Sequence, residues 1–75
     1  MTNSKIVEIF QSIADLLTAQ RESVFKVQAY RRAVRTIELL PVELAKMVED
    51  GEDLERLSGV GKAIAKKIQE LVTTG

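Results

Sequence analysis

Two glycines separated by one apolar residue, Gly59-Val60-Gly61, lie between two stretches of helical pattern. Glycine adopts positive φ and has no Cβ, so it allows a sharp turn and a close approach of the backbone to a ligand. We expect Val60 to insert between the helices and the N–H groups of Gly59, Gly61 and Lys62 to point outward. Free amides at the positive end of a helix bind phosphate oxygens. The loop with Ser58, and the charge of Lys62, therefore predict a phosphate-binding site.

The bare Gly-x-Gly pattern is also compatible with a plain turn that needs glycine for its geometry alone. Leu54 and Leu57 before the loop and the run Ile64-Ala65-x-x-Ile68 after it favour phosphate binding, because they complete a helix-hairpin-helix pattern. A nucleotide P-loop is not predicted. Its lysine follows a longer glycine-rich loop after a strand, and this sequence has no strand pattern.

The composition excludes several kinds of catalytic and metal site. The 75 residues include no Cys and no His. Cysteine nucleophiles, disulfides, histidine general bases and zinc sites built on these residues are thereby ruled out. The lack of Cys fits a reducing intracellular compartment, and no apolar run is long enough to cross a bilayer. The chain is expected to be cytoplasmic, with no membrane partner.

The formal net charge is zero, but the charges are unevenly distributed. Residues 21–35 carry five cations and one carboxylate, a net charge of +4. Residues 36–55 carry seven carboxylates and one lysine, a net charge of −6, and residues 56–69 carry four cations and no acid. Binding responds to local charge, because fields are screened beyond about 8 Å at physiological salt. The two basic blocks favour an anionic partner, although each block is also compatible with a solvated helix face.

Apolar residues at three- and four-residue steps predict an all-α fold, a compact four-helix domain over residues 1–75 that ends in the helix-hairpin-helix. The expected inward stripes are Ile6, Ile9, Phe10, Ile13, Leu16 and Leu17; Val27, Tyr30, Val34 and Ile37; Leu44, Met47 and Val48; and Ile64, Ala65, Ile68, Leu71 and Val72. Asn3 or Ser4 is the predicted N-cap of the first helix, and Ser23 is that of the second. Pro41 is expected in the first turn of the third helix and Gly51 at its end. Asp53 is expected to cap a short helical turn, and the last helix is expected to run from about Lys62 to near Thr73.

Three segments together resemble the small N-terminal helical domain of polymerase-beta-like family X DNA polymerases, most closely the bacterial and archaeal members. They are Phe25-Lys26-Val27-Gln28-Ala29-Tyr30-Arg31-Arg32-Ala33, Leu39-Leu40-Pro41, and Leu57-Ser58-Gly59-Val60-Gly61 through Ile64-Ala65-Lys66-Lys67-Ile68. The resemblance spans nearly the whole chain. It implies binding to the 5′-phosphate side of a DNA gap and, in some members, removal of a 5′-deoxyribose phosphate.

The resemblance assigns roles to individual residues. Lys67 matches the family's Schiff-base lysine, Tyr30 a tyrosine near it, and Lys26 a lysine that contacts the 5′-phosphate. Arg31 and Lys66, in the two basic blocks of the sequence, are also expected to contact DNA. The resemblance also implies a monovalent cation, Na⁺ or K⁺, held by the backbone carbonyls of Glu55, Leu57 and Val60.

Four positions depart from the family pattern. Ala63 replaces a lysine of the phosphate pocket, Phe25 a pocket histidine, Lys66 an acidic neighbour of the lyase lysine, and Ser58 a frequent proline. The first three weaken the case for lyase chemistry. Lys67 is also compatible with an exposed lysine paired with Glu70 three residues later, and Tyr30 with an aromatic at the core edge.

The sequence therefore predicts sequence-independent DNA binding through the hairpin backbone, with gapped or 5′-phosphorylated DNA as partner. The rest of a polymerase chain is a further candidate partner. No cofactor is required, and the bound chain is expected at the nucleoid. Two alternatives stay open: a 5′-deoxyribose-phosphate lyase acting through Lys67, and a protein-interaction module whose acidic 36–55 face meets a basic partner.

Overall fold

The computed structural model describes all of residues 1–75 as four α-helices with no strand. The elements are α1 (Asn3–Ala19), α2 (Val24–Glu38), α3 (Leu44–Glu49), a 3-10 turn (Leu54–Arg56) and α4 (Lys62–Thr74). The predicted all-α, four-helix architecture is confirmed. The arm that precedes the hairpin is only this single 3-10 turn. None of the helices combines the length and apolarity needed to span a membrane.

One apolar core holds the helices together, and no polar side chain is buried in it. The buried residues are Ile6, Phe10, Ala14, Ala33, Val34, Ile37, Leu44, Met47, Leu54, Val60, Ile64, Ala65 and Ile68. Leu16 was expected inside but is 57% exposed. It lies about 120° around the helix from Phe10, at 3.6 residues per turn, whereas Ala14 continues the buried stripe.

The start of α1 is fastened to the start of α3. Thr2, rather than Asn3 or Ser4, caps α1: its hydroxyl accepts a hydrogen bond from the Lys5 N–H at 3.1 Å. Asn3 instead caps α3, because its Oδ1 accepts from the Leu44 N–H at 2.7 Å. Its Nδ2 donates to the Val42 carbonyl at 2.8 Å. Such a cap contributes about 1 kcal/mol and here also joins two distant segments.

The other predicted boundaries show where local sequence decides a helix end. Ser23 caps α2 and Asp53 caps the 3-10 turn, as predicted. Gly51 has φ +74° just after α3, which confirms it as the stop. Pro41 was expected in the first turn of α3, but α3 begins at Leu44. The Asn3 hydrogen bonds on either side of residue 43 hold that residue extended, so the helix starts later.

Candidate nucleic-acid interface

The hairpin loop, residues 57–61, joins the 3-10 turn to α4. Val60 is buried within it, as predicted, and belongs to the common core. The Val60 N–H donates to the Leu57 carbonyl at 3.1 Å and closes the turn. Gly59 takes φ +81°, a conformation that L side chains rarely adopt. The apolar plug and the glycine together shape the loop as the sequence predicts.

Gly59 also packs directly on α2. A methyl group at this position would lie 2.8 Å from the Thr36 Oγ1 and 2.9 Å from the Arg32 Cγ. The Thr36 hydroxyl donates a hydrogen bond to the Ser58 carbonyl at 2.6 Å. The loop is therefore fixed to α2 by one hydrogen bond and by a contact that only glycine permits.

Gly61 differs from Gly59 in both respects. Its φ is −90°, and a Cβ built on it meets no atom within 4 Å. The positive φ considered for Gly61 from the sequence is therefore absent. The protein itself has room for a side chain at Gly61, so any requirement for glycine there must come from something that approaches from outside.

The backbone amides at the start of α4 have no acceptor within the protein. The N–H groups of Ser58, Gly59, Gly61, Lys62, Ala63 and Ile64 make no hydrogen bond to another residue. Side chains cap the other three α-helices, namely Thr2 on α1, Ser23 on α2 and Asn3 on α3. No side chain caps α4. The amides expected to be free at Gly59, Gly61 and Lys62 are free, and those of Gly61 and Lys62 lie at the positive end of a 13-residue helix.

Three of the six cations without carboxylate partners lie at this loop. Five of the 11 Lys and Arg side chains form ion pairs, and Arg21, Arg32, Arg35, Arg56, Lys62 and Lys66 form none. Arg32, Arg56 and Lys62 line an open hollow over the loop, together with Gly59 and Gly61. We call it the hairpin hollow. Glu55 is the one carboxylate on its rim, so the lining carries a net positive charge.

Of the other site residues predicted from the sequence, all but Lys66 interact with a neighbour outside the hairpin loop. Lys26 pairs with Glu22 at 3.6 Å, Arg31 with Asp15 at 2.8 Å, and Lys67 with Glu70 at 3.5 Å. The Tyr30 ring packs edge-on against Phe10, with centroids 5.1 Å apart. No hydrogen bond or ion pair joins Lys26, Tyr30, Arg31 and Lys67 to one another. Lys66 is exposed and unpaired one turn beyond Lys62.

The three carbonyls expected to hold a monovalent cation bracket the hairpin turn. The carbonyl oxygens of Glu55 and Val60 accept no hydrogen bond from the protein, and that of Leu57 accepts one, from Val60. Carbonyl oxygens are suitable ligands for a hard cation, and two of these three have no competing donor. Two of these three oxygens are thus open acceptors, and a monovalent cation at them stays a prediction. The chain has no group of three acidic side chains that would hold a metal in another way.

Arg32 and Arg56 line the hairpin hollow and were not singled out from the sequence. Arg32 is exposed in the helical pattern of α2, but that pattern alone does not identify it as a site residue. It lies off the buried stripe of α2, one turn before Thr36, on the face that receives Gly59. Which exposed face of α2 meets the hairpin depends on packing between segments more than twenty residues apart, and periodicity does not specify it.

Comparison with known proteins agrees with this geometry. A helix-hairpin-helix domain model matches residues 1–75, so the chain belongs to the helix-hairpin-helix domain family. DNA polymerase lambda of Arabidopsis thaliana is 36% identical over 73 residues, which make up 97% of this chain and 13% of that polymerase. The resemblance to family X polymerases seen in the sequence is thereby confirmed. No solved structure matches the chain significantly.

Proposed function

We propose that this domain binds DNA by its phosphate backbone, gripping a 5′-phosphate or the adjoining duplex at a gap as part of a family X repair polymerase. The observation that carries the proposal is the uncapped start of α4. The residues that carry its unpaired amides line the same hollow as Arg32 and Arg56. Backbone N–H groups and helix N-termini are common donors to DNA phosphates.

This arrangement favours binding that ignores base sequence. The amide of a glycine, which has no side chain, can reach a phosphate oxygen, whereas base edges are recognised by side chains that enter a groove of the DNA duplex. The Lys62 side chain adds charge beside the amides without a carboxylate to compete for it. A phosphate in the hairpin hollow would thus satisfy donors that the protein leaves open.

The start of α2 supports recognition of a gap. Phe25 is 83% exposed and stands next to Lys26. An exposed aromatic ring is a surface on which an unpaired base stacks, with a contribution of about 1–3 kcal/mol. A gap supplies such a base together with a 5′-phosphate. We assign Lys26 and Tyr30 to this end of the DNA, and an Na⁺ or K⁺ at the Glu55, Leu57 and Val60 carbonyls would add positive charge near the phosphate.

The test is a titration of gapped duplex DNA, with and without the 5′-phosphate, at two salt concentrations. We expect affinity to fall steeply with salt, because neutralised phosphates release counterions. Removal of the 5′-phosphate should weaken binding to the gap. Lys62→Ala should reduce affinity, and Lys5→Ala, which removes a cation paired with Glu8 on α1, is the matched control.

The proposal has two parts, DNA binding and recognition of a gap, and a different result would contradict each. Equal affinity with and without the 5′-phosphate would remove the assignment to gaps and leave general DNA binding. Absence of salt-dependent DNA binding would remove DNA binding itself. It would favour the alternative of a protein-interaction module whose acidic 36–55 segment meets a basic partner. A bound chain would be located with the nucleoid, inside the cell.

A further inference from the structure

A second groove adjoins the hairpin hollow on the side of α2. It is lined by seven residues, namely Arg32, Arg35, Thr36, Leu39, Leu40, Ser58 and Gly59. We call it the α2 groove. Arg32, Ser58 and Gly59 line both the groove and the hairpin hollow. The two depressions therefore share a border, and Gly59 contributes no side chain to it.

The α2 groove carries charge that the protein does not neutralise. Arg32 and Arg35 stand three residues apart on α2, and neither forms an ion pair. No acidic residue lines the groove. The other two cations of α2, Lys26 and Arg31, are both paired with carboxylates. On this helix the unpaired cations are thus confined to the side that borders the hairpin loop.

An apolar side chain completes the groove. Leu39 is 84% exposed at the end of α2 and is among the groove residues. Guanidinium groups bind phosphate through two parallel hydrogen bonds. A sugar attached to that phosphate offers apolar C–H surface that Leu39 would cover. Phosphate and sugar together are the repeating unit of a nucleic acid strand.

We propose that the α2 groove binds a second phosphate of the DNA strand whose first phosphate lies in the hairpin hollow. Arg32 stands between the two phosphates, Arg35 binds the second, and Leu39 packs on the intervening sugar. The inference rests on the proposed function for its first phosphate. The hydrogen bond from Thr36 to Ser58 fixes the hollow relative to α2, so the spacing of the two sites is set before DNA arrives.

Arg35 is the diagnostic residue, because it lines the α2 groove and not the hairpin hollow. Arg35→Gln keeps much of the side-chain length and removes the charge. We expect the slope of log affinity against log salt to become shallower by about 1, the loss of one phosphate contact. Preference for a 5′-phosphate should be retained. Lys46→Gln removes an exposed cation that is paired with Asp50 and should leave the slope unchanged.

A scan of single methylphosphonates, which neutralise one phosphate at a time, locates the contact. We expect the native chain to lose affinity at two adjacent positions of one strand, and Arg35→Gln to lose affinity at only one of them. An unchanged slope and scan in Arg35→Gln would overturn the second site while leaving the hairpin grip intact. If the phosphate whose neutralisation no longer affects Arg35→Gln lies on the opposite strand, the assignment of both phosphates to one strand would be overturned. No DNA binding by the native chain would instead remove the proposed function itself.

Discussion

Gly59 and Gly61 stand two residues apart in one loop, yet different requirements act on them. Gly59 has positive φ, and a methyl group there would clash with Thr36 and Arg32 on α2. Gly61 has ordinary φ and open space beside its Cα. Gly59 is required for the fold of the hairpin, and we expect Gly61 to be required for the approach of a DNA phosphate.

The two alanine variants should therefore separate stability from binding. Gly59→Ala should lower the free energy of unfolding by about 1–3 kcal/mol, because a non-glycine residue at positive φ is strained and α2 must also shift. Gly61→Ala should unfold at nearly the native temperature while its affinity for DNA falls, since the Cβ obstructs the phosphate. Thermal unfolding and DNA titration of both variants measure the two effects. Native affinity in Gly61→Ala would show that the phosphate does not approach this backbone.

Lys67 is the residue on which lyase activity would depend, and its amine is engaged. Its ammonium lies 3.5 Å from the Glu70 carboxylate, whereas attack on an aldehyde requires a free lone pair. We expect weak borohydride trapping of the native chain on an incised abasic site and none with Lys67→Ala. Glu70→Gln should raise trapping about two-fold, since an i,i+3 ion pair contributes about 0.2–0.5 kcal/mol. Equal trapping by native protein and Lys67→Ala would exclude this lysine, and no trapping by any variant would leave a binding domain alone.

At the scale of the helix, α4 lacks the side-chain cap that the other three helices have. Gly61→Asp would supply one, because the extended backbone at Gly61 suits an N-cap residue and the space is open. Its carboxylate would accept from the amides of the first turn and interact favourably with the helix dipole. We expect a gain in unfolding free energy of a few tenths to about 1 kcal/mol. DNA binding should be lost, because the carboxylate occupies the amides and repels phosphate.

Circular dichroism during thermal unfolding, with DNA titration of the same samples, tests this exchange of function for stability. Gly61→Ser is the neutral control. It offers a cap without the charge and should lose less affinity than Gly61→Asp. Retained DNA binding by a stabilised Gly61→Asp would show that the α4 amides are not the contact.

The helix ends also show which features can be predicted from the sequence and which cannot. Ser23, Gly51 and Asp53 act on backbone within a few residues of themselves, so local chemistry was sufficient to identify them. The role of Asn3 was missed because its acceptor and donor lie about forty residues away, beside Pro41. The difference between local and distant interactions also explains which site residues could be predicted. The loop glycines and Lys62 were predicted from local spacing, whereas Arg32 is added by the packing of α2 against the hairpin.

The molecule has zero net charge, but its positive and negative charges are concentrated in different parts of the chain. Four of the six unpaired cations, Arg32, Arg35, Arg56 and Lys62, line the hairpin hollow and the α2 groove, while the 36–55 segment is strongly acidic. We expect duplexes of equal length and different base sequence to compete equally for the chain, because the contacts are to phosphates. Competition titrations at one fixed salt concentration measure this. A strong preference for one sequence would mean that side chains reach base edges.

The unsatisfied amides of the hairpin have a further consequence for hydrogen exchange. In the free protein the N–H groups of Gly61, Lys62 and Ala63 have no acceptor within the chain, so they should exchange with solvent almost as fast as in an unfolded peptide. The Val60 N–H, hydrogen-bonded to Leu57 in the same loop, should exchange more slowly. DNA would supply the missing acceptors, and exchange at the first three positions should slow on binding. A part of the molecule that is rigidly folded would thus exchange like a frayed end until its ligand arrives.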